Sequence, residues 1–336
     1  MTSTLLRRRA TIDDVAALAG VSRSAVSRTF TEGACVSPQM RSRVERAAQS
    51  LGFKPNALAR GLTKQRNQLV AFVAGYQHNL YDAAYHDLVL SRLQADGFRV
   101  LLVHIGRSGE VGRALLEALD FPVSVAVVAG GSIDEASIAE CTRLSTPVVL
   151  CTGEFSGLPG VDCINSDNAG GTRAALDHLL SRGCRRISCI AGTPGMFATR
   201  ERLEAFRQGM QTHGYEPAGL AYGDFTFEGG LRAAQSLLAG APRPDALLCA
   251  NDAMALGALT AARNLGGLRL PQDLAVIGFD DIPLAAWPNF QLSTVRNPVA
   301  EKAEAICERV RLRTQNPHCE PVNLRFPTPL VLRQSA

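Results

Sequence analysis

Seven short apolar runs recur through the last four-fifths of the chain, with helix-patterned segments between them. They are Leu69–Val73, Val100–Ile105, Val125–Ala129, Pro147–Cys151, Ile187–Ala191, Ala246–Ala250 and Leu274–Phe279. Such runs carry almost no polar residue, as parallel strands covered on both faces require. Amphipathic stretches such as Thr172–Ser181 and Arg202–His213 supply the covering helices. This alternation predicts an α/β body of doubly wound parallel sheets, and the number of strands predicts two lobes. Ligands of such sheets bind beyond the strand carboxyl ends, so a cleft between lobes is the expected site.

Polar residues just after strands are therefore the candidates. They fall in Gly75–Asp82, Asn165–Asn168, Thr193–Arg202, Asn251–Asp252 and Asp280–Asp281. No G-x-G-x-x-G opens a helix and no P-loop is present, so no cofactor is expected. Enzyme signatures are also missing. The six histidines show no H-x-x-x-H or H-E-x-x-H spacing, and no G-x-S-x-G elbow occurs. Asp280 and Asp281 are adjacent and point apart in any regular backbone, which argues against paired acid–base work.

The first 66 residues read differently. Thr11 is placed to cap a helix with Asp14 three positions on, and Ile12, Val15, Ala16 and Ala19 share its apolar face. Gly20 stops that helix and Ser22 caps the next, which runs to Phe30 with Val26 inward. A third helix starts at Ser37-Pro38, buries Met40, Val44, Ala47, Ala48 and Leu51, and ends at Gly52. Three short helices with so tight a first turn predict a helix-turn-helix. The second helix exposes Arg23, Ser24, Ser27 and Arg28 and carries no acid. Arginine forks suit guanine edges, and hydroxyls suit phosphates.

Charge agrees with that division. Residues 1–66 hold twelve Lys/Arg against four Asp/Glu, whereas the rest of the 336-residue chain is mildly acidic. A basic head on an acidic body points to a polyanionic partner. The nine cysteines are irregularly spaced with no C-x-x-C, so buried thiols are expected rather than disulfides or a metal site. No apolar run follows Arg7–Arg9 and none is long enough to cross a bilayer, so a cytoplasmic chain without membrane contact is expected.

The stretch TIDDVAALAGVSRSAVSRTF, followed by VSPQMRSRVERAAQSLGFKPNALARGL, closely resembles the DNA-binding head of the LacI/GalR repressor family. The body resembles that family's periplasmic-binding-protein-like core at Asp167–Gly171, Arg202–Phe206, Ala250–Gly257 and Ile277–Asp281. The resemblance implies a helix-turn-helix domain over 1–55 and a hinge helix with linker over 56–67. It implies a first effector lobe over 68–165 plus about 297–325, and a second over 166–296 plus about 326–336.

It also implies roles. Arg23, Ser24 and Arg28 would read bases, while Thr11, Ile12, Ser22, Ser27 and Asn56 would touch phosphate. Leu62 matches the leucine that wedges between base pairs and is expected to do so here, whereas the local spacing of Leu58 and Leu62 at i and i+4, taken alone, would have them pack together. Arg202, Asn251 and Asp280 would contact an effector, with Phe225, Tyr81 and Asp82 as weaker candidates. Local alternatives stay open at several of these positions. Arg202 can pair with Glu201 or Glu204, Asn251 or Asp252 can cap a helix with Asp252 the expected cap, Asp281 is expected to be structural or capping, and Trp287 can line the cleft or pack. The implied protein is a homodimeric operator-DNA-binding regulator, not an enzyme, controlled by a small polar metabolite such as a sugar or sugar acid. A repressor deaf to ligands, a solute-binding protein and an enzyme on the same body are its rivals.

Overall fold

A computed structural model describes residues 8, 10–31, 34–54, 68–75, 80–106, 110–130, 133–154, 157–265 and 267–336. They form two compact units, a head within residues 1–67 and a body from Gln68 onward.

The head contains α1 (Ile12–Ala19), α2 (Arg23–Thr29) and α3 (Pro38–Leu51). Each start is fixed by a side chain. Thr11 Oγ1 accepts from Asp14 N, and the Asp14 carboxylate accepts from Thr11 N at 2.7 Å, closing a capping box. Ser22 and Ser37 cap α2 and α3 in the same sense. Gly20, at φ 62°, turns the chain sharply enough for α2 to follow at once. Val15, Val26 and Val44 are wholly buried at the centre of the three helices. Leu51, expected in this core, is exposed; Phe53 packs there instead, 6.0 Å from Phe30. The exchange follows from Gly52, which reverses the chain and brings the next aromatic side chain back over α3.

The body holds two six-stranded sheets. The first contains β1 (Leu69–Ala74), β2 (Arg99–His104), β3 (Val125–Ala129), β4 (Val148–Leu150) and β5 (Val161–Ser166). Its order is β11-β5-β4-β3-β1-β2, where β11 is Asn323–Phe326. The second contains β6 (Ile187–Ala191), β7 (Gly219–Tyr222), β8 (Ala246–Cys249), β9 (Ala275–Asp280) and β10 (Ser293–Arg296). Its order is β12-β10-β9-β8-β6-β7, where β12 is Leu330–Val331. All pairings are parallel except β10 with β12. Every residue of β1, β3 and β5 is buried. β2, expected to be covered on both faces, is an edge strand with Leu102 exposed, so only one side has a partner.

The helices are α4 (Leu80–Ala95), α5 (Val111–Ala118), α6 (Glu135–Arg143), α7 (Asn168–Ser181), α8 (Phe197–Thr212), α9 (Phe227–Ala239), α10 (Asp252–Asn264) and α11 (Val299–Gln315). Close contact between α9 and α10 depends on glycine. A Cβ at Gly257 would lie 2.3 Å from the Phe227 carbonyl oxygen, which accounts for the glycine that ends the Ala250–Gly257 motif.

The chain passes between the two sheets three times, after β5, after β10 and after β11. The second passage returns α11 to the first sheet, where a buried ion cluster holds it. Asp162 on β5 accepts two hydrogen bonds from Arg313, both 2.9 Å, and two from Arg309, both 3.0 Å. Val322 N donates to the same carboxylate, so β11 is fastened as well. Burial alone would raise the pKa of Asp162; the hydrogen bonds from Arg313 and Arg309 outweigh it and hold the carboxyl below its usual value.

Candidate functional site

A cavity of about 130 Å³ lies at the carboxyl ends of the strands. The first sheet and its helices supply Tyr81, Asp82, Tyr85 and His86 from α4, Ser166 from the end of β5, and Lys302 from α11. The second supplies Asn168 from α7, Arg202 from α8, Phe225, and Asp280 at the end of β9. Asn297, on the passage from β10 to α11, also faces it.

Arg202 is held by three groups at once. Its Nε donates to Asn168 Oδ1 at 2.8 Å, one terminal nitrogen donates to the Ala250 carbonyl, and the guanidinium lies 3.6 Å from the centre of the Phe279 ring. It does not pair with Glu201, which instead binds Asn168 Nδ2 and Arg325. The fork is thus fixed in a plane at the cavity wall, suited to donating to ligand oxygens.

Asp280 is buried with φ at +121°, and Phe225 has φ at +63°. Two non-glycine residues in such backbone positions at one cavity mark a strained site held by its surroundings. For Phe225 the hold is visible: Asn251 Nδ2 donates to its carbonyl oxygen at 3.1 Å. Space for the ring comes from Gly192, where a Cβ would lie 2.0 Å from Phe225 Cζ. Burial pushes the Asp280 carboxyl up to about 7, against the pull of Arg202 and a hydrogen bond donated by Asn297 Nδ2 at 3.1 Å. Asp280 therefore sits where it can accept from, or donate to, a ligand hydroxyl near neutral pH.

Of the sequence candidates, Tyr81, Asp82, Arg202, Phe225 and Asp280 converge on the cavity. Asn251 does not line it: its Oδ1 caps α10 by accepting from Met254 N at 3.0 Å, and its amide supports Phe225. It positions a wall residue, as its place before a helix requires. Asp252 is not the cap. Its carboxylate reaches away to Ile282 N at 2.9 Å and Thr294 Oγ1 at 2.5 Å, and burial raises its pKa well above the ordinary carboxylate value. Asp281 pairs with Arg296 and Arg333, a structural tie. Trp287 is exposed and outside the cavity lining.

Lys302, Asn297, Tyr85 and His86 were not singled out from sequence. Lys302 did carry a signal: it falls one helical turn from Ile306 and two from Val310, a charge on an otherwise apolar face.

On the head, Arg23, Ser24, Ser27 and Arg28 are exposed together on α2. The Thr11 and Ser22 side chains serve as caps, and Ile12 packs against the core. Although α2 has no acid of its own, the fold brings Asp13 of α1 to it, and Arg23 Nε lies 2.9 Å from Asp13 Oδ1. Asn56 and Leu62, with the expected hinge, lie outside the described residues.

A helix-turn-helix head followed by a two-sheet body with a polar cavity at its strand ends defines a DNA-binding transcription regulator with a periplasmic-binding-protein-like body. Residues 11–56 match the description "Bacterial regulatory proteins, lacI family", and residues 176–336 match "Periplasmic binding protein-like domain". The "HTH-type transcriptional regulator CelR" of Thermobifida fusca is 34% identical, covering 98% of this chain and 99% of that protein. The structure titled "transcriptional regulator CelR-cellobiose complex" matches with a TM-score of 0.72 at 32% identity, covering 98% of this chain and 100% of that one. A lac repressor dimer bound to operator and the anti-inducer ONPF matches with a TM-score of 0.85 at 26% identity, covering 98% of this chain and 99% of that one. The chain belongs to the lacI family of bacterial regulatory proteins. Among the described residues, no helix is long and apolar enough to cross a membrane.

Proposed function

We propose that the chain is an operator-binding repressor that works as a homodimer. Its DNA affinity is set by a small hydroxylated metabolite, a sugar or sugar acid, held in the cavity between the two sheets. The observation that carries this reading is the cavity wall itself. A fixed arginine fork, a carboxyl that titrates near neutrality and an aromatic face meet there, a combination suited to a polyol. The cellobiose complex of CelR supports the carbohydrate class, and the operator-bound lac repressor dimer supports the assembly. One head reads too few base pairs for a specific site, so two heads on a pseudo-palindrome are required. Because the wall residues belong to both sheets, a ligand that binds one lobe arrangement better shifts the balance between arrangements, and DNA affinity with it.

The test is operator binding at fixed salt with DNA from upstream of the protein's own gene, titrated with sugars and sugar acids. One compound is expected to change the affinity, and Arg202→Ala is expected to abolish that response while leaving DNA binding intact. Specific binding that no compound alters would favour a ligand-insensitive repressor.

A further inference from the structure

Two cations on α11 are buried, and they are treated in opposite ways. Arg313 is fully buried and doubly bonded to the Asp162 carboxylate. Lys302, three turns earlier and only 4% exposed, has no carboxylate at ion-pairing distance among the described residues. Its Nζ donates to two hydroxyls, Ser166 Oγ at 3.1 Å and Tyr81 Oη at 3.4 Å, and lies 4.9 Å from the centre of the Tyr85 ring. An ammonium has three N–H donors, so this set leaves one, and the side chain lines the cavity. A buried ammonium without a counter-ion is costly, and such charges are normally paired.

We infer that Lys302 is the group that reads charge in the cleft, and that the natural effector is a polyol bearing an anionic group, a carboxylate or a phosphate, which pairs with Lys302. The inference rests on the cavity being the effector site. The anionic end is directed to the α11 wall, while Arg202, Asp280 and Phe225 on the opposite wall meet the hydroxylated body of the ligand.

The two nearest carboxyl candidates within the protein do not do this job. Asp280 is reached only through a chain: Lys302 Nζ donates to Ser166 Oγ, Ser166 Oγ donates to Asn297 Oδ1 at 2.6 Å, and Asn297 Nδ2 donates to Asp280. Asp82 acts on Lys302 only as a more distant charge. Burial, helped by the nearby Arg202 charge, pushes the Lys302 pKa down to about 8, against the opposing pull of Cys151, Asp280 and Asp82. The ammonium is thus mainly charged at pH 7 and available to an anion.

The experiment is calorimetric titration of the full chain with matched pairs: D-gluconate and D-glucuronate, D-glucose 6-phosphate, and neutral D-glucose and cellobiose. At least one anionic compound is expected to bind, its neutral counterpart at least tenfold more weakly. Lys302→Met should weaken the anionic compound by roughly 10- to 100-fold, the span expected for a hydrogen bond to a charged group. The same change should leave the unliganded melting temperature unchanged or higher, because a desolvated charge is removed. Lys302→Arg should keep most of the affinity. Binding of a carboxylate or of the phosphate tells which anion is read. The inference is overturned if only neutral sugars bind, if no anionic compound binds, or if Lys302→Met leaves anion affinity unchanged. Neutral-sugar binding that Arg202→Ala removes would overturn it while leaving the cleft as the effector site.

Discussion

The interior of the body and the second helix of the head use charge under opposite conditions. In the body, Asp162, Arg313, Arg202, Asp280 and Lys302 are each less than a tenth exposed. There each charge must be met by a partner, by ligand or by a shifted pKa. On α2, Arg23 stands in solvent, its side chain 71% exposed, and its one ion pair is screened by water and salt. Buried charges are therefore expensive to disturb and specific in what they accept. The head's charges are cheap to disturb, and that leaves them free to be re-partnered by DNA.

Breaking the paired charge in the body gives the largest expected effect. Asp162→Asn removes the shared carboxylate and leaves the fully buried Arg313 guanidinium and the partly buried Arg309 guanidinium without their common counter-ion. The expected loss is about 3–5 kcal/mol of stability, the range for removing one partner of a buried pair. Chemical denaturation at pH 7 measures it. The sign with pH follows from the depressed pKa of Asp162: its stabilisation is present above the unfolded value and lost as pH falls through the folded one. The gap between variant and wild type therefore narrows in acid. A loss no larger than that of a surface change would remove the distinction drawn between interior and head.

Asp280 sharpens the comparison from the other side, because it is a buried carboxyl whose charged form costs stability. Its folded pKa, about 7, lies above the unfolded value, so its contribution to stability is full below about pH 4 and is lost as pH rises through 7. Asp280→Asn removes the penalty and keeps an oxygen to accept from Asn297. The unliganded variant is expected to match wild type at pH 3.5 and to exceed it by roughly 1–3 kcal/mol at pH 8, part of the shift times the energy of one pKa unit. Its response to effector should fall at the same time. Equal stability of the two proteins at both pH values would show that Asp280 is not desolvated as described.

How much of this was legible depends on whether the cause is local. The head was readable almost to the residue, because caps such as Thr11, Ser22 and Ser37 act within three residues of themselves. The central strands were equally plain, since burial on both faces leaves an apolar run. Strands β7, β10, β11 and β12 went unseen because they are short and three of them pair at sheet edges, where few neighbours constrain composition. The cavity was half visible. Residues just after strands, such as Asp280, could be named from topology alone, but Lys302 and Asn297 reach the site only because α11 returns to the first sheet. That return depends on contacts across about 150 positions, such as Asp162 with Arg313. Asn251 and Asp252 show the limit within one dipeptide: the sequence placed both before a helix, and only the fold decides which one caps it.

The smallest expected effect tests the head. Asp13→Asn removes the exposed partner of Arg23 without touching α2 itself. Because the pair is exposed, it restrains Arg23 only weakly, and its release should raise operator affinity by threefold or less at low salt, with no gain at high salt. Asp13 also sits in the first turn of α1, where an acid favours the helix dipole, so the head should melt slightly earlier. Arg28→Ala offers the contrast. If Arg28 reads a base, as its exposed place on α2 allows, its loss should cost about 1–3 kcal/mol of discrimination and relax specificity at one base pair. Operator binding measured against single-base variants across a salt series separates these outcomes. If Asp13→Asn changed affinity as much as Arg28→Ala, the pair would be holding Arg23 in its reading position, and the head's charges would be as tightly committed as those of the body.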